Sequence, residues 1–129
     1  MGKLIDKKIC FGLIVGTRGF FNPEHAKKGR KELLSILNEL NFDYVIPGED
    51  ETPNGAIETL KDAKICADLF NKNNKKIDGI IVILPNFGDE LGVVNTIKLS
   101  GLKVPVLVQA CNDDINSVDI YGRRDAFCG

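Results

Sequence analysis

Residues 78–90 read DGIIVILPNFGDE, and the fold can be predicted outward from this stretch. Its first half is a run of Ile, Val and Leu without polar alternation, which is typical of a parallel strand covered by helices on both faces. Its second half changes abruptly to Pro, Asn, Gly and acidic residues. In an open parallel sheet, the loop after such a strand lies at the edge where ligands bind. The stretch therefore predicts a central strand that ends in a functional loop.

Three more apolar runs predict the remaining strands, at residues 8–16, 42–48 and 103–110. Helical patterns separate the four strands, so the strands are expected to pair in parallel through right-handed crossovers. The predicted fold is α/β: a flavodoxin-like (Rossmann-like) open parallel sheet of order 2-1-3-4 in a three-layer αβα arrangement.

Helix starts are predicted from capping signals. Asn22 and Pro23 suit the cap and first position of one helix, whose apolar stripe runs through Ala26, Leu33, Leu37 and Leu40. Thr52-Pro53 predicts a second helix, beginning there or after Gly55, with Ala56, Leu60, Ala63, Ala67 and Phe70 on its buried face. Gly88 or Asp89 begins a third helix through Leu91, Val94 and Ile97, and Gly101 ends it.

Two regions are predicted from this alternation. Residues 1–110 form the α/β domain, and residues 111–129 form an irregular C-terminal arm without helical or strand periodicity. A further helix and a fifth strand would be expected next, so the fifth strand is predicted to be missing and the arm to begin a truncated continuation. Such a domain should expose an apolar edge and self-associate. The alternative is a C-terminal arm that simply docks on the domain.

Composition narrows the possible partners. The 129 residues carry a net charge of −1, which gives no electrostatic basis for binding nucleic acid or a membrane surface. Residues 1–8 lack the apolar core of a signal peptide, and no apolar run approaches the roughly 20 residues of a membrane helix. The four cysteines lack CxxC spacing and His25, the single histidine, is expected to be exposed. We therefore expect a cytoplasmic protein with reduced thiols and no metal or other cofactor bound by this chain.

The predicted strand order also indicates a candidate site. In the order 2-1-3-4 the ligand crevice lies between strands one and three. Their loops supply the candidate residues Arg18, Phe20, Asn86, Phe87, Asp89 and Glu90.

These side chains allow two interpretations each. Arg18 offers a planar cation for a carboxylate, phosphate or sugar hydroxyl, or is a plain surface arginine. Phe20, Phe21 and Phe87 cover a sugar face or a neighbouring subunit, or close the end of the core. Asp89 and Glu90 form an acid pair or, as we favour, complement the positive end of a helix.

Several other functions lack their motifs. The glycines at residues 12–19 are misplaced for a GxGxxG dinucleotide loop, and neither a P-loop nor a Ser/Thr-rich flavin phosphate loop is present. A phosphoacceptor receiver would need an acid cluster after strand one and an Asp ending strand three. Here those places hold Thr17-Arg18 and Pro85-Asn86, which disfavours a receiver.

Three motifs occur in an order that resembles a known family. They are the FGDE loop at residues 87–90, the strand PVLVQA at residues 105–110 and the ending RRDAFCG at residues 123–129. Together they resemble the N-terminal domain of the L-fucose isomerase and L-arabinose isomerase superfamily, especially the fucose isomerase-like proteins.

The resemblance implies an aldose–ketose isomerase that uses a divalent metal, commonly Mn²⁺, and an enediol intermediate. Metal ligands and catalytic acids of such enzymes lie in later domains, while the first domain contacts the monosaccharide and neighbouring subunits of a homo-oligomer. By loop position, the implied substrate contacts are Arg18, Asn86 and Phe87, and this chain alone is expected to be inactive. The alternative is a free-standing flavodoxin-like domain that binds a small ligand or a partner.

Overall fold

The computed structural model describes residues 7–128, so residues 1–6 of the predicted N-terminal segment and Gly129 lie outside the described part. Strand β1 spans Cys10–Val15 and helix α1 spans Pro23–Glu39. Strand β2 (Asp43–Val45), helix α2 (Leu60–Lys72) and strand β3 (Gly79–Leu84) follow. Helix α3 spans Glu90–Ser100 and strand β4 spans Val106–Ala110. Single 3₁₀ turns occur at Pro53–Gly55 and Ala126–Cys128.

The strands form a parallel sheet of order β2-β1-β3-β4, which confirms the predicted order 2-1-3-4. Each central strand presents one set of alternate residues to each face. Ile14, Ile80 and Val82 belong to the core cluster under α2, whereas Val15 and Ile83 pack with Ala26 of α1. The predicted central strand β3 is buried along most of its length. A three-layer arrangement results, and within residues 7–128 no fifth strand joins the sheet.

The second helix begins later than predicted. Thr52-Pro53 starts the 3₁₀ turn, and Asn54 and Gly55 then take positive φ angles of 59° and 66°, which no α-helix can continue through. Helix α2 starts instead after Thr59, which forms a capping box with Asp62. Ala56, predicted on the helix, lies before it, and Leu60 is 51% exposed.

Residues 56–58 run beside the end of β1. Ile57 forms a parallel bridge with Gly16. The Ile57 amide donates to the Val15 carbonyl over 2.7 Å, and the Thr17 amide donates to the Ile57 carbonyl over 3.0 Å. The segment thereby reaches the edge of the sheet at which the loops after β1 and β3 lie.

The third helix starts and ends as predicted. Asp89 caps α3 and Gly101 ends it with φ of 69°. Leu91 and Val94 on this helix are 67% and 55% exposed. Glycine at position 92 and Thr96 take the buried face instead, because α3 approaches the chain at Glu58 closely. Among the helices of residues 7–128, none combines the length and apolar character needed to cross a membrane.

Candidate functional site

The loops after β1 and β3 meet, as the predicted switch point requires. Strands β1 and β3 pair in register up to Val15 and Ile83, so their loops leave the sheet side by side. The backbone amide of Arg18 then donates to the side-chain oxygen of Asn86 over 3.1 Å. This bond joins the two predicted loops directly.

Asn86 is the fully buried centre of this junction. Its Oδ1 also accepts a bond from the Gly88 amide over 3.1 Å, and its Nδ2 donates to Oγ1 of Thr17 over 2.8 Å. Gly88 has a φ of 73°, which brings its amide back toward the Asn86 side chain. Because its amide group is buried and used internally, Asn86 shapes the two loops from beneath.

Arg18 lies on the outer side of this junction. The centre of its guanidinium is 4.7 Å from the centroid of the Phe87 ring, a cation–π distance. Its Nη2 donates to Oε2 of Glu90 over 2.9 Å and lies 3.7 Å from Oδ2 of Asp89. The side chain is 35% exposed. Glu90 and Phe87 thus hold the guanidinium plane in one orientation at the surface of the crevice.

Three phenylalanines continue this surface. The Phe87 and Phe21 rings are stacked, with centroids 6.2 Å apart and planes 7° apart, and Phe20 meets Phe21 edge to face at 5.6 Å. Phe21 is 8% exposed and closes the core, whereas Phe20 is 74% exposed. Phe21 therefore fits the interpretation in which a loop aromatic closes the end of the core. Exposed Phe20 does not close the core and stays open to the other interpretation, a cover for a sugar face or a neighbouring subunit.

The acidic pair has the helix-start role that we favoured. Oδ1 of Asp89 accepts from the Gly92 amide over 3.0 Å as the N-cap of α3, and Glu90 lies in the first turn. Both acids also face Arg18. The two carboxylates are therefore better placed to orient the Arg18 cation than to exchange protons with a ligand.

Glu58 joins the site although no prediction named it. Its Oε1 accepts from the Gly19 amide over 2.7 Å and so holds the loop after β1. The Thr59-x-x-Asp62 capping box was the available signal. It places the helix start at residue 59 and leaves Glu58 in the preceding loop.

The C-terminal arm also reaches this edge. The Arg123 guanidinium lies 5.9 Å from the Phe20 ring and 5.8 Å from the Phe21 ring, and its Nε is 3.4 Å from a carboxylate oxygen of Asp125. Ala126 is 1% exposed and packs in the core. The arm thus adds a second arginine to the aromatic surface.

His25 is half-buried, which corrects the prediction that it is exposed. Residues of the arm cover it, and its Nε2 atom is buried without a hydrogen-bond partner within residues 7–128. Burial lowers the pKa of His25, and the nearby Arg124 guanidinium acts in the same direction. The backbone of Gly122 and Arg123 opposes this shift in part. A neutral imidazole is therefore favoured beneath the arm.

Within residues 7–128, the thiols and acids form no metal-binding cluster. Cys10 and Cys66 are buried, and burial raises the pKa of both thiols. Across the described part of the chain, no group of three or more His, Cys, Asp or Glu side chains is placed to hold a metal ion. The residues of the described part therefore do not fit the divalent metal of the resembled enzymes.

The chain is similar to a known protein family. The family model described as "Fucose/sulfoquinovose isomerase, N-terminal domain" matches residues 12–129, which is most of the chain. No curated protein matches the chain. The matched range includes both switch-point loops, the 56–58 segment and the C-terminal arm. The chain therefore belongs to the family of fucose/sulfoquinovose isomerase N-terminal domains.

Proposed function

We propose that this chain is the substrate-side domain of a metal-dependent aldose–ketose isomerase and that it also contacts neighbouring subunits of a homo-oligomer. Membership of the family supports the isomerase part of this proposal. The observation that carries the substrate-side role is the Arg18 guanidinium held over Phe87 at the β1–β3 switch point. A fixed planar donor beside an aromatic ring suits the hydroxyl groups and the C–H face of a monosaccharide.

Three residues divide this role. Arg18 and Phe87 supply the guanidinium and the aromatic ring at the switch point, while buried Asn86 keeps their loops together. Proton transfer between C1 and C2 needs a base within hydrogen-bond reach of the sugar. The acids nearest Arg18 are engaged as helix cap and ion pair. In this proposal the base and the metal, Mn²⁺ or a similar divalent ion, belong to the remainder of the isomerase.

We place the protein in the cytoplasm. The four cysteines are free, including half-buried Cys111 and exposed Cys128. Exposed free thiols are suited to a reducing compartment.

An assay on the isolated chain tests whether the catalytic base and the metal lie outside it. With Mn²⁺ and fucose, we expect no ketose above a protein-free blank, because the proposed base and metal ligands are elsewhere. Turnover above the blank that survives repurification would show a complete catalytic site in this chain and would contradict the proposal.

A substitution tests the substrate contact. In the complete isomerase, Arg18→Met should raise KM for the sugar about 10- to 100-fold, the effect of losing a charged hydrogen bond worth about 1.5–3 kcal/mol. Lys28→Met, which removes an exposed cation from α1, is the matched control and should leave KM unchanged. Equal KM values for the two variants would exclude Arg18 as a substrate contact.

A further inference from the structure

The edge of the sheet that carries the candidate site has three features that bind anions in α/β proteins. They are the backbone amides of the loop after a strand, the N-terminus of the helix that follows a strand, and an arginine side chain. In this chain, each of the three is already engaged by polar groups of the chain itself. These internal contacts bear on the charge of the ligand that the site can take.

The backbone amides of the loop after β1 are used inside the protein. The amides of Gly16 and Thr17 donate to backbone carbonyls over 3.0 Å, and the amide of Arg18 donates to the Asn86 side chain. A phosphate cradle needs several amides of one loop turned toward the ligand. Three consecutive amides of this loop point instead to the protein's own acceptors.

The next amide of this loop, that of Gly19, holds a carboxylate. It donates to Oε1 of Glu58 over 2.7 Å. Both carboxylate oxygens of Glu58 lie over this glycine, because a Cβ added to Gly19 would be 3.1 Å and 3.2 Å from them. Glu58 thus occupies the position at which this amide would meet an anionic ligand, and its charge repels a second anion.

The helix that follows β3 is capped in a similar way. Oδ1 of Asp89 accepts from the Gly92 amide over 3.0 Å, and Glu90 adds a second carboxylate in the first turn of α3. The positive end of a helix favours an anion, and these two negative charges offset it. The N-terminus of α3 therefore has anions of its own.

Arg18 faces more negative charge than it carries. Its Nη2 atom lies 2.9 Å from Oε2 of Glu90 and 3.7 Å from Oδ2 of Asp89, so these three side chains together have a net charge of −1. Arg123, the second arginine of the aromatic surface, lies 3.4 Å from a carboxylate oxygen of Asp125. An anionic ligand would have to compete with these carboxylates for either guanidinium.

We propose that this site takes uncharged sugars and rejects sugars that carry a phosphate or sulfonate group, and that Glu58 and Glu90 determine this specificity. The proposal rests on the proposed function for the sugar and adds the charge of that sugar. A hydroxyl group both donates and accepts, so it can donate to Glu58 or Glu90 and accept from Arg18. A sulfonate or a phosphate dianion has acceptor oxygens only, so it meets the two carboxylates without a proton to share.

Two reducing sugars that differ by one phosphate group test this specificity. The probes are galactose and galactose 6-phosphate, with fucose as a second uncharged sugar, at low ionic strength and about pH 7.5, where the phosphate is mainly a dianion. NMR of the ¹⁵N-labelled chain follows the amides of Gly19 and Phe87, one in each loop. We expect both uncharged sugars to shift these amides. Galactose 6-phosphate should bind at least about ten-fold more weakly than galactose because the carboxylates repel it.

Charge-neutral variants remove the repulsion and keep the hydrogen bonds. Glu58→Gln and Glu90→Gln each retain a side-chain oxygen that can accept the bond the glutamate accepts. In the double variant, Kd for galactose 6-phosphate should fall about ten-fold and come within about two-fold of Kd for galactose. The control is Glu39→Gln combined with Asp68→Asn, which removes two charges from exposed positions within α1 and α2 and should leave the ratio of the two Kd values unchanged.

Three results would overturn the proposal, and each has a different meaning. If the wild type binds galactose 6-phosphate as tightly as galactose, the charge specificity is wrong while the sugar contact of the proposed function stands. If the double variant gains no affinity for galactose 6-phosphate, Glu58 and Glu90 are not the residues that reject the anion. If neither fucose nor galactose shifts the loop amides at the highest soluble concentration, the substrate-side role itself fails, and the specificity fails with it.

Discussion

Asn86 determines the geometry of the candidate site although it lies beneath the surface. Its side chain joins Thr17, the Arg18 amide and the Gly88 amide, and these bonds set where Arg18 and Phe87 point. Sequence reasoning selected Asn86 as a substrate contact from its place in the loop. The structure places its polar atoms inside the protein, so any effect on substrate would act through the loops.

Replacing Asn86 should therefore cost stability. Asn86→Ala leaves two backbone amides and the Thr17 hydroxyl without their partner in a buried setting, which we expect to lower the free energy of unfolding by about 2–3 kcal/mol. Urea denaturation measures this directly. Asn74→Ala, at an exposed position after α2, is the control and should change stability by less than about 0.5 kcal/mol. A loss no greater than that of the control would show that the junction is dispensable.

His25 should make stability depend on pH. Burial holds the pKa of the folded imidazole below its ordinary value of 6.5, so the unfolded chain binds more protons in this range. Stability is then complete above about pH 6.5 and falls as the pH is lowered through that value. The charged groups around the imidazole are Glu24, Lys28, Asp113, Asp114, Asp119 and Arg124.

Urea unfolding at pH 7.5 and 5.5 checks this sign. The wild type should lose stability between the two values, and His25→Gln should lose less because it has no imidazole to protonate. An NMR titration that places the His25 pKa at or above 6.5 would refute the expected direction.

The segment between β2 and α2 shows why one helix boundary was misjudged. Thr52-Pro53 and Thr59 both carry helix-start signals, and local sequence does not rank them. The pairing of Ile57 with the end of β1 decides between them, because it keeps residues 56–58 extended. The same pairing brings Glu58 to Gly19 and adds it to the site.

The surroundings of Gly92 show how closely α3 approaches the segment that contains Glu58. An added Cβ would lie 2.6 Å from the carbonyl oxygen of Glu58. Glycine to alanine inside a helix usually gains about 0.5–1 kcal/mol, but here we expect Gly92→Ala to lose about 1–3 kcal/mol through the clash. Chemical denaturation distinguishes the two signs. Lys98→Ala, at an exposed position of α3, should stay within about 0.5 kcal/mol of the wild type, and a stabilised Gly92→Ala would disprove the close approach.

The C-terminal arm packs against the rest of the molecule more closely than its irregular sequence indicates. Ala126 is buried in the core cluster, the Cys111 amide donates to the Leu84 carbonyl over 3.0 Å, and Arg123 lies against Phe20 and Phe21. The arm thus covers His25 and closes one side of the candidate site. These contacts show that the described part of the arm packs on the α/β domain.

Detachment of the arm should be visible by proteolysis. Ala126→Asp places a charge in the core, which should raise the rate of trypsin cleavage after Arg123 or Arg124 by at least about ten-fold because the open state is populated more. Phe127→Asp changes the next residue, which is 70% exposed, and should leave the rate unchanged. Similar cleavage of both variants would mean that Ala126 does not hold the arm.

The sequence by itself determined the alternation of strands and helices, the strand order and the two loops of the crevice. Apolar runs, capping residues and crossover handedness act over short distances or as general rules, so they can be read without coordinates. Arg18, Asn86 and Phe87 were found together for the same reason.

Only the tertiary structure decided which atoms of those residues face outward, where α2 begins, and which residues join from elsewhere. Glu58 and Arg123 reach the site through contacts between segments far apart in sequence, and Asn86 is buried because both loops close over it. The exposed faces of α3 and β4 likewise depend on which elements pack beside them. Such long-range contacts leave no local periodicity, which is why the sequence alone did not show them.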